Sequence, residues 1–445
     1  YLPTFSDIGA RVNLISPIVS AFSVMFLYLI IVQLLNRLNK NDLDKKKLIE
    51  YCALIGALTF AVTDSHWFNA VESEVYSLST FFTSIVVWLI LKWDENSFHN
   101  NSIKYIILIS YMMGLAAGIH LLNLLAIPCI IFIIYYNKIT STALNKIDIK
   151  KLFLDIIYVA FSSLLIFTII YLFIYKGIPN LGAYFSNLFW VSFIFYITVF
   201  FICSYYIKNN YNKLSIIFTC IVMILIGYST YSTIVIRASQ QPFINEGNPD
   251  SSKAFLAYIN RDQYGAVNSF DPVSAIQNSS QEHWKRYINP PDNISKSDNP
   301  RKFKLEYAAK RNNPSYSEII DFILSYQINE MYLRYFAWQF IGKSDPNEID
   351  WSWEVRKKSI DGISQGNLIK RLQGIDPFRY ILPFAFIFGI IGFIFHVKKD
   401  YLRAISILSL FLATGIIIIL YLNQHDPQPR ERDYSYVGSF FAFSI

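Results

Sequence analysis

Charge is scarce in this chain. Asp, Glu, Lys and Arg make up 16% of its 445 residues, where a soluble domain carries about 25%. A water-facing surface on all sides is thereby excluded. Cysteine is scarcer still: Cys52, Cys129, Cys203 and Cys220 lie far apart inside apolar runs, with no CxxC and no nearby His pair. That excludes a disulfide framework and a zinc site, and leaves four small apolar side chains. No Walker A, GxGxxG, HExxH or nucleophile-elbow sequence is present, which argues against soluble-nucleotide chemistry and the common hydrolase templates. No signal peptide and no repeat of solenoid length is visible.

What the chain has in excess is apolar sequence, 53% of residues, with 17% aromatic. It is gathered into runs near 14–36, 48–64, 75–92, 104–118, 121–136, 152–174, 186–207, 214–236, 378–396 and 404–422, with another starting near Tyr436. Runs of this kind cross a hydrocarbon core of about 30 Å. The expectation is an all-α polytopic membrane protein with about ten transmembrane helices. A single helix over 104–136 would reach about 50 Å, so Gly114 and Gly118 are read as a break that splits it. Alternate loops then carry Arg37, Lys40, Lys45, Lys46 and Lys47; Lys92 and Lys104; Lys138, Lys146, Lys150 and Lys151; Lys208 and Lys213; and Lys398, Lys399 and Arg403. The positive-inside rule turns these loops to the cytoplasm. It also explains the net charge of +7 without a nucleic-acid partner.

Three blocks follow: an N-terminal membrane block of eight helices (1–236), an α-rich periplasmic insert (237–376) and C-terminal helices (377–445). The insert has helical stretches near 251–261 and 315–342, and the second, aromatic and amphipathic, is a candidate to lie along the membrane surface. The chain opens at Tyr1 without Met and closes at Ile445 inside an apolar run, and reads as a piece of a longer protein.

The outer loops hold the residues able to do chemistry. Asp64-Ser-His-Trp-Phe-Asn-Ala-Val-Glu72-Ser-Glu74 sets carboxylates between two apolar helices, where they serve either as helix caps or as site residues. Gly118-Ile-His120-Leu-Leu-Asn123 puts His120 and Asn123 at a helix start, where exposed N–H groups favour an anion, or alternatively a plain capped turn. Arg237 closes a helix, as an interfacial anchor or an anion ligand. Ser325 to Trp338 is an aromatic stripe with one Arg, suited to core packing or to docking on the membrane surface. In Gln428-Pro-Arg430-Glu-Arg432-Asp433-Tyr434 the charges either cancel locally or free the arginines to grip a phosphate in two-pronged fashion.

These same segments, with Thr230–Arg237, Pro242-Phe-Ile-Asn245, Tyr326-Gln-Ile-Asn and Arg334-Tyr-Phe-Ala-Trp338, resemble the bacterial protein O-mannosyltransferase-like membrane family of the GT-C glycosyltransferase superfamily. The resemblance implies transfer of a sugar, mannose or similar, from a polyprenyl-phosphate donor to Ser or Thr of an acceptor protein at the periplasmic face of the bacterial inner membrane, with inversion. It makes Glu72 and Glu74 auxiliary catalytic residues, and His120, Asn123, Arg237, Arg430 and Arg432 ligands of the donor phosphate. It places the principal catalytic carboxylate on a first outer loop ahead of Tyr1, with Asp7 a poor substitute. No metal site is visible, and no cofactor beyond the lipid-linked sugar is expected. A transporter or flippase for a lipid-linked glycan is the alternative. It should show related halves and charged or broken helices at mid-membrane, whereas the polar residues here gather on one face. A scaffold whose insert binds partners is the third reading.

Overall fold

A computed structural model describes residues 8–39, 43–137, 149–184, 189–208, 213–262, 269–280, 283–291, 296, 299–342 and 383–445. Asp7, Lys40, Lys138, Lys146 and all of the insert beyond residue 342 lie outside them. The described chain is helical, with no strand among those residues. In order come α1 (Ile8–Asn13), α2 (Ile15–Leu38), α3 (Lys46–Ala61), α4 (Asp64–Val71), α5 (Val75–Glu95), α6 (Ile103–Ala117), α7 (Ile127–Asn137), α8 (Ile149–Ile169), α9 (Gly177–Tyr184), α10 (Phe189–Lys208), α11 (Lys213–Tyr228) and α12 (Thr233–Ser239). The insert contributes α13 (Ser252–Asn260), α14 (Pro272–Asn278), α15 (Pro300–Asn312), α16 (Tyr316–Asp321) and α17 (Arg334–Phe340); α18 (Phe384–Leu412), α19 (Ile418–Leu422) and α20 (Val437–Phe443) complete the chain.

Helix α5 sets the thickness of the bundle. Its 21 residues span about 30 Å, the depth of a hydrocarbon core. Polar side chains collect at its two ends. At the C-terminal end Asp94 is buried. Arg403 grips it two-pronged, Nη2 at 3.0 Å and 2.9 Å from the two carboxylate oxygens. Arg37 donates to it at 2.9 Å and Asn137 at 2.6 Å. Asp400 adds contacts to Arg37 at 3.3 Å and to Arg403 at 3.6 Å. One carboxylate thus ties the ends of α2, α5 and α7 to the bend of α18. These are termini that the Lys/Arg pattern assigned to a single membrane face.

The same contacts show where the chain reverses. Asn137 also reaches Ser97 at 3.0 Å, so α7 ends beside the start of α6 and the chain has turned back between them. The break lies at residues 118–120, after which residues 121–126 form a 3-10 turn. Gly114 has a different role from the one expected. It lies within α6, where a Cβ would overlap the Ile224 carbonyl, and Gly227 of α11 faces Tyr111 and Gly114 in the same way. The two helices meet backbone to backbone through these glycines. The chain turns again at Asp400, whose φ of −146° and ψ of 75° break α18. Phe386 and Phe411, about 37 Å apart on a straight helix, both contact Phe336 (6.2 and 5.7 Å) and Phe443 (6.2 and 6.3 Å).

Among the described residues, five helical stretches are long and apolar enough to cross a membrane: Gly9–Leu38, Val75–Glu95, Lys150–Tyr184, Leu214–Ser239 and Phe384–Leu422. The pair α3 and α4, bent by 66°, makes a sixth if counted as one span. Ile103–Ala117, Leu121–Asn137 and Ile194–Tyr205 are shorter apolar helices. Against the expectation of about ten transmembrane helices, the described residues therefore hold five or six candidate spans and three shorter apolar helices. A second expectation changes as well. The aromatic stretch 316–340 divides in two: Tyr316, Ile320 and Leu324 are exposed, whereas Tyr332, Tyr335, Phe336, Trp338 and Phe340 are buried against α18 and α20, with Phe336 and Phe340 4.8 and 4.6 Å from Phe443. Packing explains the stripe.

Glu318 fastens the start of α16. It accepts from the backbone of Asn289 at 2.9 Å and of Ser315 at 2.8 Å, and pairs with Lys310 at 3.2 Å. Burial raises its pKa, but these donors outweigh burial and bring it down to about 2 from an ordinary 4.5. A depressed carboxylate stabilises the fold above its unfolded pKa and ceases to as pH falls through the folded one. Glu318→Gln should therefore lower the melting temperature at pH 7, with a gap to wild type that closes between about pH 4.5 and about pH 2; a gap constant with pH would refute this. At the other end, Arg403→Met removes the two-pronged partner of the buried Asp94, leaving it Arg37 and Asn137, and should cost up to about 3–5 kcal/mol. Adding Asp94→Asn should recover part of that in thermal unfolding in detergent.

Candidate functional site

The opposite end of α5, near Tyr76, receives the segment 423–434, and the insert holds that segment in place. Asn423 donates to the Asp271 carbonyl at 2.6 Å and accepts from Gln327 at 3.2 Å. Tyr326 donates to the His425 carbonyl at 2.7 Å, and Tyr287 to the buried Asp426 at 2.9 Å. The Tyr335 hydroxyl joins three parts further along. It accepts from the Arg432 backbone at 3.1 Å and from Arg334 at 3.0 Å, and donates to Glu431.

This tethering decides how the Arg-Glu-Arg-Asp run is used. Glu431 turns to Arg334, 2.7 Å away, and not to its neighbouring arginines. Asp433 accepts from Ser65 at 2.5 Å, and Gln339 fixes Ser65 by accepting from its N–H at 3.0 Å and donating to its hydroxyl at 2.9 Å. Burial pushes the Asp433 carboxyl above its usual range, against the Ser65 hydrogen bond. Both carboxylates of the run are thus engaged by other elements, and the charges do not cancel locally. Arg432 donates to Tyr434 Oη at 2.7 Å and to Gln428 at 3.2 Å, with no carboxylate within 4 Å among the described residues. Arg430, half exposed, lies over the Tyr434 ring at 4.6 Å and 3.7 Å from Glu74.

The Tyr434 ring is 4.5 Å from Tyr76, and Tyr76 is 5.4 Å from His120. His120 caps its own turn: Nδ1 accepts the Leu122 N–H at 3.2 Å. Burial, helped by the charge of Arg261, holds its pKa down to about 4. At neutral pH the ring is uncharged, and with Nδ1 an acceptor its proton is on Nε2. It is a hydrogen-bond donor rather than a cation.

Of the residues singled out in the sequence, Glu74, His120, Arg430 and Arg432 thus share one face, joined through Tyr76 and Tyr434. Glu72 is exposed at the end of α4. Asn123 is buried; its oxygen accepts from Ser79 and Thr83, both at 3.1 Å, and its nitrogen donates to the His120 carbonyl at 3.0 Å. It pins the turn to α5. Arg237 is bonded to Gln240 at 3.1 Å and lines a cavity whose walls contain none of the other four. Sequence reasoning missed Tyr335, Gln339 and Arg261. Arg261 follows α13 with φ 59°, a left-handed backbone uncommon for a side-chain-bearing residue, and its charge is felt at both Tyr76 and His120. Tyr335 lies within the Arg334–Trp338 stretch already singled out, but nothing in the linear pattern gives these three their roles, because each acts across more than fifty residues of chain.

Residues 1–143 match the family model described as Protein O-mannosyl-transferase TMEM260 N-terminal domain. That stretch runs from α1 to past the end of α7 and carries Glu72, Glu74, His120 and Asn123, but not the two arginines. It supports an O-mannosyltransferase-like family and, through the family's name, a membrane glycosyltransferase. No curated protein and no solved structure matches the chain.

Tyr335→Phe keeps the ring and removes the shared hydroxyl. Losing hydrogen bonds to charged groups costs about 1.5–3 kcal/mol each, and the loss should fall on the 428–434 segment. Tryptic cleavage after Arg430 and Arg432 should accelerate at least tenfold with little change in melting temperature. Unchanged cleavage would show that the hydroxyl does not hold the segment.

Proposed function

We propose that this chain is the membrane core of a GT-C-type, inverting protein O-mannosyltransferase. It transfers mannose or a similar sugar from a polyprenyl-phosphate donor to a Ser or Thr hydroxyl. The observation that carries this reading is the pair Arg430 and Arg432, left without the carboxylates of their own run at the Tyr76 end of α5, in a chain whose first third is similar to an O-mannosyltransferase domain. In the reaction the acceptor oxygen forms a bond to the anomeric carbon, and the bond from that carbon to the phosphate oxygen breaks. The electron pair leaves with the phosphate, and the hydroxyl proton passes to a carboxylate. Arg430 and Arg432 bind the phosphate as its charge grows, two-pronged where the guanidinium plane allows. His120 donates from neutral Nε2. Glu74, held against Arg430, is the auxiliary carboxylate.

The Tyr76 end faces the periplasm and the Asp94 end the cytoplasm of a bacterial inner membrane. The basic residues Arg37, Lys92, Lys398 and Lys399, close in sequence to the Asp94 cluster, support that orientation. In a variant lacking the native cysteines, an impermeant thiol reagent applied to intact spheroplasts should label Lys304→Cys in α15 and not Phe98→Cys between α5 and α6. The reverse pattern would overturn the orientation.

Transfer itself is tested in the full-length protein with polyprenyl-phosphate mannose and a Ser/Thr peptide. Arg430→Ala and Arg432→Ala should each reduce transfer at limiting donor by about tenfold to a hundredfold, matching loss of a charged hydrogen bond of about 1.5–3 kcal/mol. Lys at either position should restore only part, since it lacks the planar fork. Normal rates in both alanine variants would mean the phosphate is held elsewhere.

A further inference from the structure

The cavity beside Arg237 is separate from the arginine pair and differs from it in character. It measures about 610 Å³ and is lined by Thr233, Ile236, Arg237, Ile244, Glu246 and Tyr258 among others, so the cation shares the wall with one carboxylate. Its walls come from the last turns of the apolar stretch Leu214–Ser239, from the loop that follows and from Tyr258 of α13. Its height in the membrane can be placed. A Cβ on Gly118 would lie 3.3 Å from the Tyr231 side chain, so Tyr231 is level with the turn before His120. Arg237 comes six residues later, about 9 Å further out along a helix. The headgroup zone of one leaflet, about 5–8 Å deep, begins where the hydrocarbon ends. With the Gly118 turn taken as the edge of the hydrocarbon, the Arg237 backbone lies at the outer edge of that zone, and its long side chain can reach back down to the level of lipid phosphates.

Beside it, Phe243 and Ile244 are exposed at 104% and 83%. Two adjacent large apolar side chains in open water would be costly; at the interface they insert among headgroups and upper acyl chains. Gln240 takes one of the five guanidinium donors of Arg237, leaving others for an anion. Ile236, itself exposed at 46%, offers an apolar wall below it.

We propose that this cavity binds an outer-leaflet phospholipid: Arg237 holds the headgroup phosphodiester, an acyl chain runs down past Ile236, and Phe243 with Ile244 anchors the rim in the leaflet. The proposal rests on the membrane orientation given above but not on sugar transfer. Arg237 then belongs to a lipid site distinct from the donor-phosphate site at Arg430 and Arg432.

The test uses purified full-length protein, radiolabelled phosphatidylglycerol as the probe, and Arg237→Gln and Thr233→Trp, the second filling the cavity while keeping the cation. Both variants, monodisperse by gel filtration, should retain about tenfold less lipid, and millimolar inorganic phosphate should fail to displace it from wild type. Separately, an environment-sensitive fluorophore on Phe243→Cys, in a background without native cysteines, should be quenched by lipid-borne quenchers in vesicles. Equal retention in both variants, displacement by phosphate alone, or a probe quenched only from water would overturn the site. Transfer activity in wild type with unchanged lipid retention in the variants defeats this inference alone. Lipid retention as expected in a protein that transfers no sugar defeats the proposed function and leaves this site standing.

Discussion

The arrangement depends on one buried carboxylate. Asp94 closes the end of α5 deep in the bundle, where an unpaired charge would be very costly. Arg403, Arg37 and Asn137 supply donors for both of its oxygens. Their satisfaction requires that the ends of α2 and α7 and the bend at Asp400 stay at one level. A purely apolar packing between these helices would tolerate sliding; the fork of Arg403 on Asp94 does not.

That constraint at one end fixes what can happen at the other. With the registers of α2, α5, α7 and α18 set, the opposite termini lie about one membrane thickness away, and the segments leaving them form a second polar layer. Asn13 reaches the Val71 carbonyl there at 3.1 Å. The glycine contact of α6 with α11 brings Tyr231 beside Gly118. The insert then closes over this layer through Tyr287, Tyr326 and Tyr335. The long π-helical stretch Phe322–Leu333 widens the turn that carries Tyr326 and Gln327 toward residues 423–425, a helical irregularity of the kind found at functional sites.

The two polar layers differ in composition. At the Asp94 end, arginine and carboxylate are matched and bonded. At the Tyr76 end, Glu431 and Asp433 are bound by Arg334 and Ser65, and Arg430 and Arg432 are left with a tyrosine, a glutamine and a glutamate at 3.7 Å. Arg432 is thereby the guanidinium of the run without a carboxylate among the described residues, and an anionic ligand would neutralise it.

The membrane class, the positions of most apolar helices and the reversal inside 104–136 were legible in the sequence, because hydrocarbon thickness limits helix length and Lys and Arg mark loop ends. The sequence also drew Glu74, His120, Arg430 and Arg432 out as polar residues at helix ends, since such side chains have no apolar partner, and the structure brings these four near one another. Three things were decided only by tertiary structure. Gly114 reads like a breaker, yet it is a contact glycine, because only the approach of α11 reveals the need for a missing Cβ. The aromatic stretch 316–340 reads as amphipathic throughout, yet its second half is buried, because its partners lie some fifty to one hundred residues further on. The charges of residues 430–433 look balanced in line, yet are divided between elements, because hydrogen bonds follow proximity in space and a linear sequence carries none of it.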